Sequence, residues 1–404
     1  MRDLKHLYYF ENLLTEANND LVREAQANGD KAIGVTCFQI PEAVYSVPGV
    51  FPVYLRAPRS GSMEMGTYYM TSMNCEYCRA LLERGLEGGY QFLDGIVGTA
   101  ACSQMADCME NLETLAANEK EGYFVQHVDT PMKADENGIN HLTRMCRKRI
   151  LDKLTEQYGI DTSDEALRKA VAIHNEICDV ITEIGEYRKE ENPRITGYEF
   201  AVLTLATFAC PKNLILDKLK ETAEELKTRI PDEDYGKKYR ARVVLVGSEI
   251  DDPDYIKAIE DAGALVVADR YCYGSLPDRE RIDLNDEEDV LKQICRHNVK
   301  KCQCPRYMDS AKIEERKVYI DKVAKEYHAD GVIVEQMKFC NFWGYERMAD
   351  THILRDDYGW PVLSIDRPYS MSGAGQLRTR VQAFVESIEI KKIQGVNAQS
   401  AAQK

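Results

Sequence analysis

The chemistry this chain can do rests first on its thirteen cysteines, several of which fall in pairs. Cys75 and Cys78 form a Cys-x-x-Cys at the mouth of a helical stretch, CRALLERGLEGG, and Cys302 and Cys304 form a Cys-x-Cys followed by Pro305. Such turns commonly supply thiolates to iron–sulfur clusters, because their backbone N–H groups hydrogen-bond the sulfurs and tune the potential. The two pairs could also supply the four thiolates of a zinc site. They lie far apart in the chain, however, and each sits among further cysteines that a four-coordinate ion leaves unexplained, so spacing favours a cluster. A thioredoxin-like role for Cys75-Glu76-Tyr77-Cys78 is weaker, since that motif should follow the first strand of its domain. Cys146, Cys178 and Cys210, within expected helices, read as core fillers.

The elements that must position these thiols come from hydrophobic periodicity. Residues 1–30 have apolar positions at helical spacing and end at Asn28-Gly29-Asp30, which reads as one leading helix. Short apolar runs then alternate with helical patterns: AIGVTC, FPVYLR, GIVGTA and YFVQHVD define an N-terminal α/β domain over 31–139. A helical segment spans 140–235. RVVLVGSEI, ALVVADRYC, GVIVEQMKFC and PVLSIDRPY restart the alternation in a C-terminal α/β domain over 236–392, and 393–404 reads as a flexible tail. The expected fold class is α/β, with two doubly wound, flavodoxin- or Rossmann-like parallel sheets.

The halves look duplicated. Asp94-Gly95-Ile96-Val97 opens a strand that runs out at Cys102, and Asp330-Gly331-Val332-Ile333 opens one that runs out at Cys340. A final strand in each half ends in Asp plus Pro, at Asp129-Thr130-Pro131 and Asp366-Arg367-Pro368. Open α/β sheets bind ligands at the carboxyl ends of their strands, and the cysteines crowd that edge: Cys37, Cys102, Cys272 and Cys340 all close strands.

Composition narrows the class. A net charge of -15 repels a phosphate backbone, so nucleic acid is an unfavourable partner. No apolar run is long enough to span a membrane, and Asp3, Glu11 and Glu16 interrupt the place where a signal peptide would need an apolar stretch. The chain is therefore expected to be cytoplasmic, where reduced thiols exclude a disulfide framework. No Walker-type GxxxxGK[ST] occurs, so nothing suggests that it hydrolyses ATP itself.

At Cys304-Pro305-Arg306, HADGVIVEQMKFCNFWGYER, GQLRTRVQAFVE, GVTCFQIPEA, NCEYCRALLERG and DGIVGTAAC, the chain resembles the catalytic subunits of the 2-hydroxyacyl-CoA dehydratase and benzoyl-CoA reductase superfamily. That superfamily includes the double-cubane cluster proteins. The resemblance runs over about residues 30 to 390. It implies a dimer, either of identical chains or with a related subunit, and a separate ATP-hydrolysing iron–sulfur activator that delivers electrons at low potential. It implies an acyl-CoA as a possible substrate. By position, Cys75, Cys102 and Cys340 resemble the ligands of a single 4Fe-4S cluster in the dehydratases. Cys37, Cys272 and Cys304 resemble a second triplet in the double-cubane branch, where two cubanes share a sulfide as 8Fe-9S. Cys78 and Cys302 are alternates for Cys75 and Cys304.

The second triplet exceeds what a single-cubane enzyme requires and shifts weight toward an activator-dependent, low-potential reductase. The runner-up is a subunit of an (R)-2-hydroxyacyl-CoA dehydratase, a lyase. A third reading is a non-catalytic partner subunit that binds CoA. Reduction needs proton donors, and Thr36, Gln39, Glu42 and Glu335 lie in or beside the relevant loops, although turn, helix-start and strand-edge roles explain them better.

Overall fold

Eight short runs form strands, six of them apolar and buried nearly end to end, as sheets covered by helices on both faces require, and the last strand of each half partly exposed at an edge. The computed structural model describes residues 2–58, 62–100, 102–232 and 234–402. In the first half, β1 (Lys31–Val35), β2 (Val50–Tyr54), β3 (Gly95–Thr99) and β4 (Phe124–Val128) pair in parallel in the order β2-β1-β3-β4. In the second, β5 (Ala241–Gly247), β6 (Ala264–Tyr271), β7 (Gly331–Met337) and β8 (Val362–Arg367) pair in parallel in the order β6-β5-β7-β8. The architecture is the expected α/β pair of doubly wound sheets. Each half has its switch point between its first and third strands, where connections leave in opposite directions and a crevice opens.

The duplication extends to single hydrogen bonds. Asp94 N donates to Ala32 O at 2.9 Å while its Oδ2 accepts from Ala32 N at 2.9 Å. Asp330 N donates to Arg242 O at 2.7 Å while its Oδ2 accepts from Arg242 N at 2.9 Å. At the other strand end, Thr36 Oγ1 accepts from Thr99 N at 3.4 Å, and Ser248 Oγ accepts from Met337 N at 2.8 Å. Thr36 and Ser248 are thus equivalent, as are Thr99 and Met337. β5 and β7 have seven residues where β1 and β3 have five. The Asp-plus-Pro match at the last strands is out of register, because Thr99 pairs with Val128 and Met337 with Arg367, which puts Asp129 after its strand but Asp366 within it.

Two expectations are corrected. The leading segment forms two helices, Leu7–Leu13 and Asp20–Ala27, because Asn19 breaks the first pattern and caps the second, accepting from Leu21 N and Val22 N at 3.1 Å. The stretch read as a flexible tail is instead carried by the helix Ala374–Ala402; 403–404 lie outside the described residues. Among the described residues no helix is long and apolar enough to cross a membrane.

Between the sheets, the helix Gly197–Ala209 is buried on all sides and packs on β2 of one sheet and β6 of the other. One apolar core therefore runs through both halves. The halves are also joined by polar contacts: Tyr369 N donates to Glu76 Oε2 at 2.8 Å, Arg306 Nη2 to Thr130 O at 2.8 Å, and Asn298 Nδ2 to Gln39 O at 2.9 Å.

Candidate functional site

Strands that end a few residues before the cysteines leave those cysteines in the loops at the sheet edges. β1 stops at Val35, two residues short of Cys37, and β3 stops at Thr99, three short of Cys102. β6 ends at Tyr271, directly before Cys272, and β7 at Met337, before Cys340. Cys75, Cys102 and Cys340 are the residues immediately preceding the helices Glu76–Leu86, Ser103–Leu115 and Asn341–Asp356. The unpaired N–H groups and positive dipole end of a helix favour a thiolate at that position. Cys102 Sγ accepts from Met105 N at 3.3 Å in this way.

Both halves contribute to one thiol set. The Cys75 sulfur is hydrogen-bonded by Cys340 and Cys78, which holds it well below the ordinary thiol range. Cys78 also bonds Cys102, which is lowered, while Cys78 and Cys340 as the donating thiols are raised. A second set is formed by Cys37, Cys272, Cys302 and Cys304. Burial pushes Cys37 and Cys272 well up, and the negative charges of Cys304, Cys302 and Glu249 push each of them further. Burial likewise lifts Cys304, to about 11, against the pull of Arg306 N–H and Arg316. Cys37, Cys102, Cys304 and Cys340 keep partial exposure, whereas Cys75, Cys78, Cys272 and Cys302 are buried. Among the described residues no group of three or more His, Cys, Asp or Glu is arranged to hold a single metal ion.

Between the sets stands Glu249, which was not singled out from the sequence. Cys272 Sγ donates to its Oε1 at 3.8 Å, and its Oε2 is shielded from solvent with no hydrogen-bond partner among the described residues. Burial first, then the neighbouring Cys75, lift its pKa to about 8. Arg367 holds it in place by donating to its carbonyl oxygen. The signal was present in the duplication: Thr36-Cys37 and Ser248-Glu249 are equivalent dipeptides after the first strand of each half.

The four residues considered as proton donors separate into two kinds. Thr36 serves the strand-end bond to Thr99 already described. Glu335 is fully buried, accepts from Arg367 Nε at 2.8 Å and Ser248 Oγ at 2.9 Å, and comes so close to β5 that a Cβ on Gly247 would lie 2.0 Å from its Oε1. Gln39 is buried and accepts from Thr130 Oγ1 at 2.7 Å, while Glu42 lies beside open space. Gln39 Nε2 has no hydrogen-bond partner among the described residues, and Glu42 accepts from Lys212 Nζ at 2.5 Å with His174 Nδ1 at 3.7 Å. Burial opposes the Glu42 charge, but Lys212 and His174 hold its pKa below the ordinary carboxylate value. Burial likewise opposes the charge on His174, yet Cys178 and Glu42 lift it to about 9. Beside them is a cavity of about 40 Å³ lined by Phe38, Glu42, Tyr54, His174, Phe208 and His297, large enough for water.

Of the remaining cysteines, Cys108 is buried on the helix Ser103–Leu115 and feels the charges of Cys102 and Cys75, while the others have partners of their own. Cys146 is buried and hydrogen-bonded with Cys295, Cys178 lies 3.4 Å from His174 Nε2, and Cys210 receives Asn19 Nδ2 at 3.5 Å.

Comparison with known proteins gives the family. The family described as 2-hydroxyglutaryl-CoA dehydratase, D-component, matches residues 37–388. The chain belongs to this family. Similar proteins include the (R)-phenyllactyl-CoA dehydratase beta subunit of Clostridium sporogenes, 24% identical over 94% of this chain and 97% of that one. The beta subunit of (R)-2-hydroxyglutaryl-CoA dehydratase of Acidaminococcus fermentans is 22% identical over 91% of this chain and 95% of that one. A benzoyl-CoA reductase subunit of Thauera aromatica is 22% identical over 89% of this chain and 91% of that one. The chain is thus similar to dehydratase and reductase subunits alike, and the lengths shared show that the likeness covers both halves.

Proposed function

We propose that this D-component family member is an iron–sulfur subunit of a low-potential reductase, charged by a separate ATP-hydrolysing activator and paired with a second copy or a related subunit. The observation that carries the reading is the meeting of thiols from distant parts of both halves in two adjoining sets. The donor chemistry fits iron: the ligands are soft sulfurs, and three stand at helix N-termini that favour negative charge. Cys75, Cys102 and Cys340, with Cys78 as alternate, would hold one cubane. Cys37, Cys272 and Cys304, with Cys302 as alternate, would hold a second. Bound there, an iron–sulfur cluster supplies low-potential electrons to a coordinated substrate.

The protein's own residues supply the rest. Cys75, Cys78, Cys272 and Cys302 are buried, which limits the access of bulk water, while Cys37, Cys102, Cys304 and Cys340 keep an opening to it. Glu42, beside the water-sized cavity, offers a route for protons, with His174 as the protonated reserve and Lys212 holding Glu42 in place. The second reading, a subunit of a 2-hydroxyacyl-CoA dehydratase with one 4Fe-4S cluster, is favoured by the names of the dehydratase relatives. Anaerobic counting of iron and acid-labile sulfide separates them. About eight irons per chain supports the reductase, about four the dehydratase, and none overturns both.

A further inference from the structure

The geometry points to Glu249 as an oxygen ligand to iron at the second thiol set, occupying in the second half the place that Cys37 occupies in the first. This rests on the iron–sulfur reading above. The duplication fixes the equivalence independently of any metal: Thr36 and Ser248 accept the same strand-end hydrogen bond, so the next residues, Cys37 and Glu249, leave equivalent strands at equivalent points. Cys102 and Cys340 are equivalent too, three residues beyond Thr99 and Met337, and both join the Cys75–Cys78 pair. The arrangement that brings Cys102 and Cys340 to one set therefore brings Cys37 and Glu249 to the other.

The carboxylate is placed and left available. Its Oε1 meets Cys272 at 3.8 Å, its Oε2 is shielded and unbonded among the described residues, and its backbone is anchored by Arg367, which is itself paired with Glu335 at 2.8 Å. A buried carboxylate oxygen without a partner is unfavourable unless something fills that role. A hard oxygen donor binds iron less firmly than a thiolate, so it leaves a position that a substrate can take by displacing it. Where the first half uses Cys37 to hold iron, the second uses Glu249 to lend a replaceable contact.

The test uses the full chain, prepared anaerobically, as wild type, Glu249→Gln and Glu249→Cys, with iron content and Mössbauer spectra as readouts and far-ultraviolet circular dichroism of the iron-free chains as the folding control. The expected result is an oxygen-ligated iron component in the wild type that Glu249→Gln loses. Glu249→Cys should keep the full iron content and convert that component to an all-sulfur signal. A Glu249→Gln spectrum superimposable on the wild type overturns the assignment. So does loss of all iron in both folded variants, because a replacement sulfur donor would then have failed to restore binding. A wild-type chain without iron overturns both this assignment and the proposed function.

Discussion

At the scale of single residues, the first thiol set distributes its work unevenly. Cys75 and Cys102 have lowered pKa values, and Cys75, Cys102 and Cys340 stand at helix N-cap positions, whereas Cys78 lies inside the first turn of Glu76–Leu86 and is raised by its contacts with Cys102 and Cys75. Cys340→Ser is therefore expected to lose roughly half of the bound iron, while Cys78→Ser keeps nearly all of it. Equal losses in the two variants, measured on anaerobic material, would move the ligand assignment from Cys75 to Cys78. Sequence reasoning reached the thiols because cysteine type and strand-end position are both visible in one dimension. It did not reach Glu249, because a glutamate after a strand is commonplace until the partner half shows a cysteine in its place. Nor could it separate Thr36 and Glu335, which hold strand ends together, from Gln39 and Glu42, since the distinction lies in hydrogen bonds to residues remote in the chain.

At the scale of elements, buried carboxylates tie helices to strands. Glu260 accepts from Gly197 N at 2.8 Å, Tyr198 N at 3.1 Å and Val266 N at 3.2 Å, so it caps the central helix Gly197–Ala209 from the neighbouring helix Asp254–Asp261. Burial lifts its pKa from 4.5 to about 7 despite those bonds. Because the folded-state value is raised, its stabilising contribution is complete below about pH 4.5 and is lost as pH rises through about 7. The iron-free wild type should thus lose up to about 3 kcal/mol of stability across that window that Glu260→Gln does not lose. Parallel pH profiles for the two chains in denaturant unfolding would disprove the role. Strand existence was legible in the sequence because the apolar runs are short and bounded by turns. The helix breaks were not: the Asn19 cap that splits the leading segment depends on a side-chain bond that apolar periodicity does not register.

At the scale of the whole molecule, the two halves form a continuous core and share polar contacts on either side of the thiols. The topology was readable because duplicated order, strand then helix, is a pattern in the sequence. The seam between the halves was not, since Tyr369, Glu76, Asn298 and Gln39 reveal no kinship until the chain is folded. With ligands drawn from both sides, iron bound as proposed would act as a cross-brace. A group that binds only the folded form stabilises it by mass action. Removing iron with a chelator under argon should lower the melting temperature by at least about 5 °C. An unchanged melting temperature would mean that the halves hold together without help from the metal.

Sulfurs in hydrogen-bond contact are also sulfurs within reach of one another's oxidation. In the iron-free chain, oxidation of the lowered Cys75 thiolate and the adjacent Cys340 thiol would join the two sulfurs, with the electron pair passing to dioxygen to give hydrogen peroxide. A bond between them would staple the N-terminal half to the C-terminal one and close the berth that iron needs. Aerobic damage would then be a change of covalent architecture, reversed by thiol reductant before any metal can be put back.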